Sequence, residues 1–135
     1  MEQKIRKPKN IFVQGPITPE KIADYLAHQG KKYEVGGIST FIQQMQGDTK
    51  SGGTIKAIHY TAIEERALQK AFEIREDIFT NYPIRCMHIY HSLGEIKTGE
   101  ICFFVMVSAS NNKAAIDACE ETVERILKEV PIWGK

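Results

Sequence analysis

The sequence is poor in the features that announce a dedicated chemistry or compartment. Its three cysteines, Cys86, Cys102 and Cys119, are widely spaced and never form C-x-x-C. An odd, dispersed set indicates neither a disulfide framework nor a structural zinc site. Each lies in an apolar segment, where cysteine most often acts as a small buried hydrophobe. An excess of one charge is also missing: 18 basic residues face 17 acidic ones, a formal net charge of +1. That balance argues against a nucleic-acid partner, whose binding surface demands a more basic chain. It leaves room for a small cationic pocket. No apolar run approaches the ~18 residues that cross a bilayer, so no membrane partner is expected. The N-terminal MEQKIRKPKN lacks an apolar secretory core. Together these absences point to the cytoplasm.

The usual catalytic signatures are absent as well. There is no G-x-G-x-x-G, P-loop, H-E-x-x-H or G-x-S-x-G. Residues 47–53 hold three glycines but lack the lysine–hydroxyl ending of a phosphate cradle. His88 and His91 form H-x-x-H, yet three residues apart on a strand they face opposite ways. No metal is expected, and spacing supports no Cys/His or Ser/His/Asp set. His88 reads as a sheet residue and His91 as a turn residue.

What is present suits one globular domain. The 135 residues are 42% hydrophobic and 26% charged, enough to bury a core. Residues 1–9 read as a polar tail and 10–135 as a single domain. A short strand spans 10–14. Thr18-Pro19-Glu20 then opens a helix with a hydroxyl cap, a proline at the first position and an early acid. Ile22, Ala23, Tyr25 and Leu26 give its apolar face, and Gly30 stops it. The β-branched and aromatic stretch within 33–46 reads as a strand. A polar loop over 47–53 and a strand over 54–61 complete an expected wide hairpin. Residues 62–81 form a long helix.

The last third follows as a strand (84–90), a turn (91–99), a second strand (100–108) and an amphipathic helix (112–130). Ile116, Cys119, Val123, Ile126, Leu127 and Val130 recur at helical spacing and are expected to share its buried face. Ser110 or Asn111 caps that helix and Pro131 ends it. The order β-α-β-β-α-β-β-α implies an α+β fold, mainly antiparallel, with helices on the sheet. Two places invite chemistry. Lys128 leaves the last helical turn, close to the only tryptophan; the plainer reading is a cation complementing the helix dipole. Ser110, Asn111 and Lys113 surround the helix start, where free backbone N–H groups attract anions; the plainer reading is capping.

Longer motifs carry a resemblance. Met87-His88-Ile89-Tyr90-His91-Ser92-Leu93-Gly94-Glu95-Ile96, Gly99-Glu100-Ile101, Val107-Ser108-Ala109, Leu127-Lys128 and Pro131-Ile132-Trp133 resemble the large, catalytic subunit of molybdopterin synthase. Gly37-Ile38-Ser39-Thr40-Phe41 and residues 60–71 also fit, so the resemblance covers about 36–135. It implies an α/β hammerhead fold and a homodimer. Each copy would bind a small ubiquitin-like sulfur carrier whose C-terminal Gly-Gly is a thiocarboxylate, giving a heterotetramer. Two sulfurs would pass to cyclic pyranopterin monophosphate, making the molybdopterin dithiolene. No cofactor bound by this chain is implied.

The resemblance implies that Lys128 is the catalytic lysine. Members often carry a second lysine directly after the tryptophan; this chain has Gly134 there and Lys135 next, so Lys135 is expected to assist. At the substrate pocket, an arginine is replaced by Gln46 and a His-Arg pair by Ser110-Asn111. Each lost charge-assisted hydrogen bond costs roughly 1.5–3 kcal/mol. Two such losses weaken binding by about two to four orders of magnitude without compensation. Lys50, Lys56 and Lys113 are candidate compensators, and Gln46, Ser110, Asn111 and Lys113 the expected substrate-binding set. An active enzyme with a rebuilt pocket is one reading. A catalytically weak relative acting as a dimeric binding module is the alternative, and an unrelated structural domain is a third.

Overall fold

A computed structural model describes residues 9–47 and 57–135. The expected tail over 1–8, most of the polar loop, the start of the strand after it, Lys50 and Lys56 lie outside the described residues. The order is β1 (Phe12–Gln14), α1 (Pro19–Gln29), β2 (Gly37–Gln44), β3 (Ala57–Ala62), α2 (Glu64–Asn81), β4 (Ile84–Lys97), β5 (Ile101–Ala109), α3 (Asn112–Glu129) and β6 (Ile132–Gly134). The strands form one sheet in the order β2-β5-β4-β3-β6, and β1 pairs with β4. Only β1–β4 is parallel. The fold is α+β.

β5 lies inside the sheet, between β2 and β4, and both its faces are apolar. Phe103, Val105, Val107 and Ala109 enter the main core with α2 and α3 residues such as Ile74, Ile78, Ala118 and Ile126. Phe104 and Met106 alternate to the other face, where Ile17 and Ile22 meet them. α1 is capped as its sequence indicates: Thr18 Oγ1 accepts from the Lys21 amide at 3.3 Å, and Gly30 is the C-cap. Among the described residues no helix is long and apolar enough to cross a membrane.

Three expectations need correction. β2 and β3 do not form a hairpin: β2 pairs with β5, whereas β3 lies between β4 and β6. Residues 91–97 are not a turn but the second half of β4. There β4 leaves β5 after the His91–Phe103 pair and takes β3 as partner from Gly94 onward. Gly94 has φ +87°, a backbone that side chains other than glycine rarely adopt, so the change of direction falls there. His91 is consequently a buried strand residue. The C-terminal PIWGK, given no element by the sequence, pairs with β3 through residues 132–134 as β6.

The third correction concerns α3. Its buried face is Ala114, Ala115, Ala118, Cys119, Thr122 and Ile126, while Ile116 is 56% exposed and Leu127 52% exposed. Small residues line the contact, so the helix lies close on β2 and β5. The hydroxyl of Thr122 is satisfied within the helix, donating to the Ala118 carbonyl at 2.7 Å.

Candidate active site

The C-terminal corner is built by α3, Pro131 and β6. α3 ends because Val130 takes extended backbone ahead of Pro131. Lys128 stands on the last turn and is exposed. A hydrogen bond from Arg125 holds the Glu129 carboxyl below its usual range, and the charges of Arg125, Lys70 and, least of all, Lys128 add to it. Exposed Leu127 precedes Lys128 in sequence. β6 then places exposed Trp133 opposite Thr61.

Lys135 is held in register by a double backbone bond. The His59 amide donates to the Lys135 carbonyl at 3.0 Å, and the Lys135 amide donates back at 3.2 Å. His59 is in turn opposite Glu95. The structure also explains the glycine after the tryptophan. A Cβ at Gly134 would sit 2.7 Å from Ile58 Cγ2 and 3.0 Å from Tyr60 Cε1. Lys135 is thus the first position after Trp133 where a side chain fits without displacing β3.

The other candidates fall into two places. Ser110, Asn111 and Lys113 gather at the start of α3. Asn111 is the N-cap, its Oδ1 accepting from the Ala114 amide at 2.8 Å. The Lys113 amine pairs with Asp117 at 2.9 Å although its side chain is 86% exposed. The hydrogen bond and charge of Asp117 raise its pKa. Gly36 and Gly37 pack against this turn; a Cβ on Gly36 would meet the Ser110 carbonyl at 2.5 Å. Gln46 sits elsewhere. It follows Met45, whose amide donates to the Glu100 carbonyl at 2.8 Å, beside the β4–β5 turn. Asn112 packs against Gly37 at the start of β2 and Cys119 bonds to Ser39 further along, so α3 runs back along the strand. Gln46 and Lys128 therefore lie toward one end of the sheet, and Ser110, Asn111 and Lys113 toward the other. Fifteen residues of helix separate Lys113 from Lys128, about 22 Å.

One polar constellation was not legible from spacing. Cys86 Sγ lies 3.3 Å from His88 Nε2 and 3.5 Å from Lys32 Nζ, on the α1 face of the sheet. The Cys-x-His spacing on a strand was the available signal, since residues two apart share a face. Lys32, fifty-four positions upstream of Cys86, gave none. Among the described residues no three His, Cys, Asp or Glu side chains converge as metal ligands.

The family model for the MoaE protein matches residues 12–129. A molybdopterin synthase catalytic subunit from Pyrococcus abyssi is 33% identical over 100 residues, 74% of this chain and 67% of that protein. One from Bacillus subtilis is 33% identical over 120 residues, 89% of this chain and 73% of that protein. The crystal structure of molybdopterin synthase from Staphylococcus aureus superimposes with a TM-score of 0.79 at 27% identity, covering 92% of this chain and 87% of that one. A Helicobacter pylori complex of subunits 1 and 2 of molybdopterin-converting factor contains a chain with a TM-score of 0.79. At 16% identity, with 91% and 80% of the chains covered, that likeness concerns the fold alone. With the family model spanning most of its length, this chain belongs to the MoaE protein family, the family of the molybdopterin synthase catalytic subunits.

Proposed function

We propose that this chain is the catalytic subunit of a molybdopterin synthase and acts in molybdenum cofactor biosynthesis as a sulfurtransferase. It takes sulfur from the thiocarboxylated Gly-Gly end of a small ubiquitin-like subunit. Cyclic pyranopterin monophosphate receives it, and two such transfers make the dithiolene. The observation that carries this reading is family membership across a segment that contains Lys128. The Helicobacter pylori complex of subunits 1 and 2 supports a small partner for the same fold.

Lys128 and Lys135 give the C-terminal corner two amines for anionic guests, a thiocarboxylate tail or a phosphate. Lys128 passes protons to and from the reacting groups. Exposed Leu127 and Trp133 supply apolar area against which a partner's tail can lie. The neutral Gln46, Ser110 and Asn111 line the substrate site with Lys113, whose charge is partly offset by Asp117. A site that joins both ends of α3 needs a second copy of the chain, since one helix holds them about 22 Å apart. The working form is therefore a homodimer flanked by two small subunits.

The test is reconstitution. The purified chain, the thiocarboxylated partner and the pyranopterin should yield dithiolene product. Lys128→Ala should lower the rate by about 10²–10⁴-fold, the usual worth of a positioned proton-transfer group. Thermal stability should hold, since surface changes stay within about 0.5 kcal/mol. No product from the unaltered chain at any partner concentration ends the reading. Sedimentation equilibrium at the mass of one 15.3 kDa chain ends the dimer.

A further inference from the structure

The α1 face of the sheet brings three nitrogen donors to one sulfur. Cys86 and His88 stand two apart on β4, and His88 Nε2 lies 3.3 Å from Cys86 Sγ. Lys32, just beyond α1, donates through Nζ at 3.5 Å. Gln29, in the last turn of α1, donates through Nε2 at 3.7 Å. Two of these donors are themselves fixed. Gln29 is buried, and Ser108 Oγ donates to its Oε1 at 2.9 Å. The His88 ring stacks on Tyr25 with centroids 5.4 Å apart and planes 18° apart, and Tyr25 stacks in turn on Tyr90 at 5.0 Å.

A buried cysteine kept only for packing is inert and has no use for such an arrangement. Cys86 is half-buried, whereas Cys102 and Cys119 are buried. The hydrogen bond from His88, joined by the charges of His88 and Lys32 and the Gln29 donor, outweighs burial and brings the Cys86 thiol down to about 6. Burial pushes Cys102 and Cys119 up. A cavity of about 120 Å³ lies along the first half of β4, lined by Lys9, Ala71, Arg75, Met87, His88 and Tyr90. It has room for a guest the size of a few waters.

We propose that Cys86 is a modification site, a thiolate that hydroperoxides oxidise while the two other cysteines stay inert. The sulfur attacks one peroxide oxygen. An S–O bond forms as the O–O bond breaks. Sulfur loses two electrons and becomes a sulfenic acid; the departing hydroxide or alkoxide gains them and takes a proton from Lys32 or from water. The site lies on the opposite sheet face from α3 and does not depend on the sulfur-transfer reading.

The experiment follows each cysteine of the full chain by mass spectrometry during alkylation with iodoacetamide from pH 5 to 9. The titratable groups facing Cys86 are His88 and Tyr90 on its own strand, Tyr25 on α1 and Lys32 after it. Labelling of Cys86 should be half-maximal near pH 6, with Cys102 and Cys119 unlabelled until the chain unfolds. Hydrogen peroxide followed by dimedone should leave an adduct on Cys86 alone. His88→Gln and Lys32→Gln should each move the Cys86 midpoint upward. Protection of Cys119 reports folding in each variant, so either one suffices if the other fails to fold. A midpoint at the ordinary thiol value of about 8.5 overturns the proposal. So does labelling no faster than at Cys102, or the lack of a dimedone adduct.

Discussion

His91 is a base that the fold keeps from protons. It is 5% exposed, with its ring against Tyr60 and Phe103 and its Nδ1 2.8 Å from the Ser92 carbonyl. Burial lowers its pKa below 6.5, and the bond to Ser92 only partly restores it. Below about pH 6.5 the unfolded chain therefore binds a proton that the folded protein declines, and stability is lost as pH falls. Cys86 adds a slope of the same sign at higher pH. Its folded thiol ionises near 6, against about 8.5 for an ordinary thiol in the unfolded chain, so stability rises with pH between the two. Urea midpoints measured between pH 7 and pH 5 should fall for the unaltered chain. In His91→Gln, which keeps an N–H for the Ser92 carbonyl, the fall should be shallower. An identical slope in the variant would remove His91 from this account.

At the scale of the element, α3 shows where periodicity misleads. Ile126 is 1% exposed and Leu127 52% exposed, adjacent residues of similar size on opposite sides of the contact. Ile126→Ala should cost about 2–5 kcal/mol in chemical unfolding. Leu127→Ala should cost under about 0.5 kcal/mol and instead weaken binding of the small partner. Large apolar residues drew the sequence reading to Ile116 and Leu127, whereas Ala114, Ala115 and Ala118 are what the close sheet contact requires. The strands failed for another reason. Their existence was written in β-branched and aromatic composition, but their partners are remote in sequence. β2 finds β5 some sixty residues on, and no local signal chooses β5 over β3. The turn expected at residues 91–99 contains Gly94 and Gly99, both at positive φ, and of the two only Gly99 stands at a chain reversal.

For the molecule as a whole, fold class and family were legible and the site only in part. The order of helices and strands was nearly correct, which was enough for α+β. Lys128 stood out as a cation at a helix end near the tryptophan, but its catalytic role, like that of Lys135, came only through the resemblance. That Gln46 and the Ser110–Lys113 group lie at opposite ends of the sheet follows from the antiparallel pairing of β2 with β5, which no motif records. Cys86 was read as a packing residue because the cation beside it comes from a distant segment.

β4 has one more consequence. Its first half is the neighbour of β5, its second half the neighbour of β3, and the same fourteen residues serve both. Neither portion of the sheet can melt alone, because each would strip a ladder from the strand that the other still uses. Scanning calorimetry should therefore record one endotherm, with calorimetric and van't Hoff enthalpies in agreement. Cutting that shared beam, by Gly94→Pro for instance, should abolish the transition altogether rather than divide it into two.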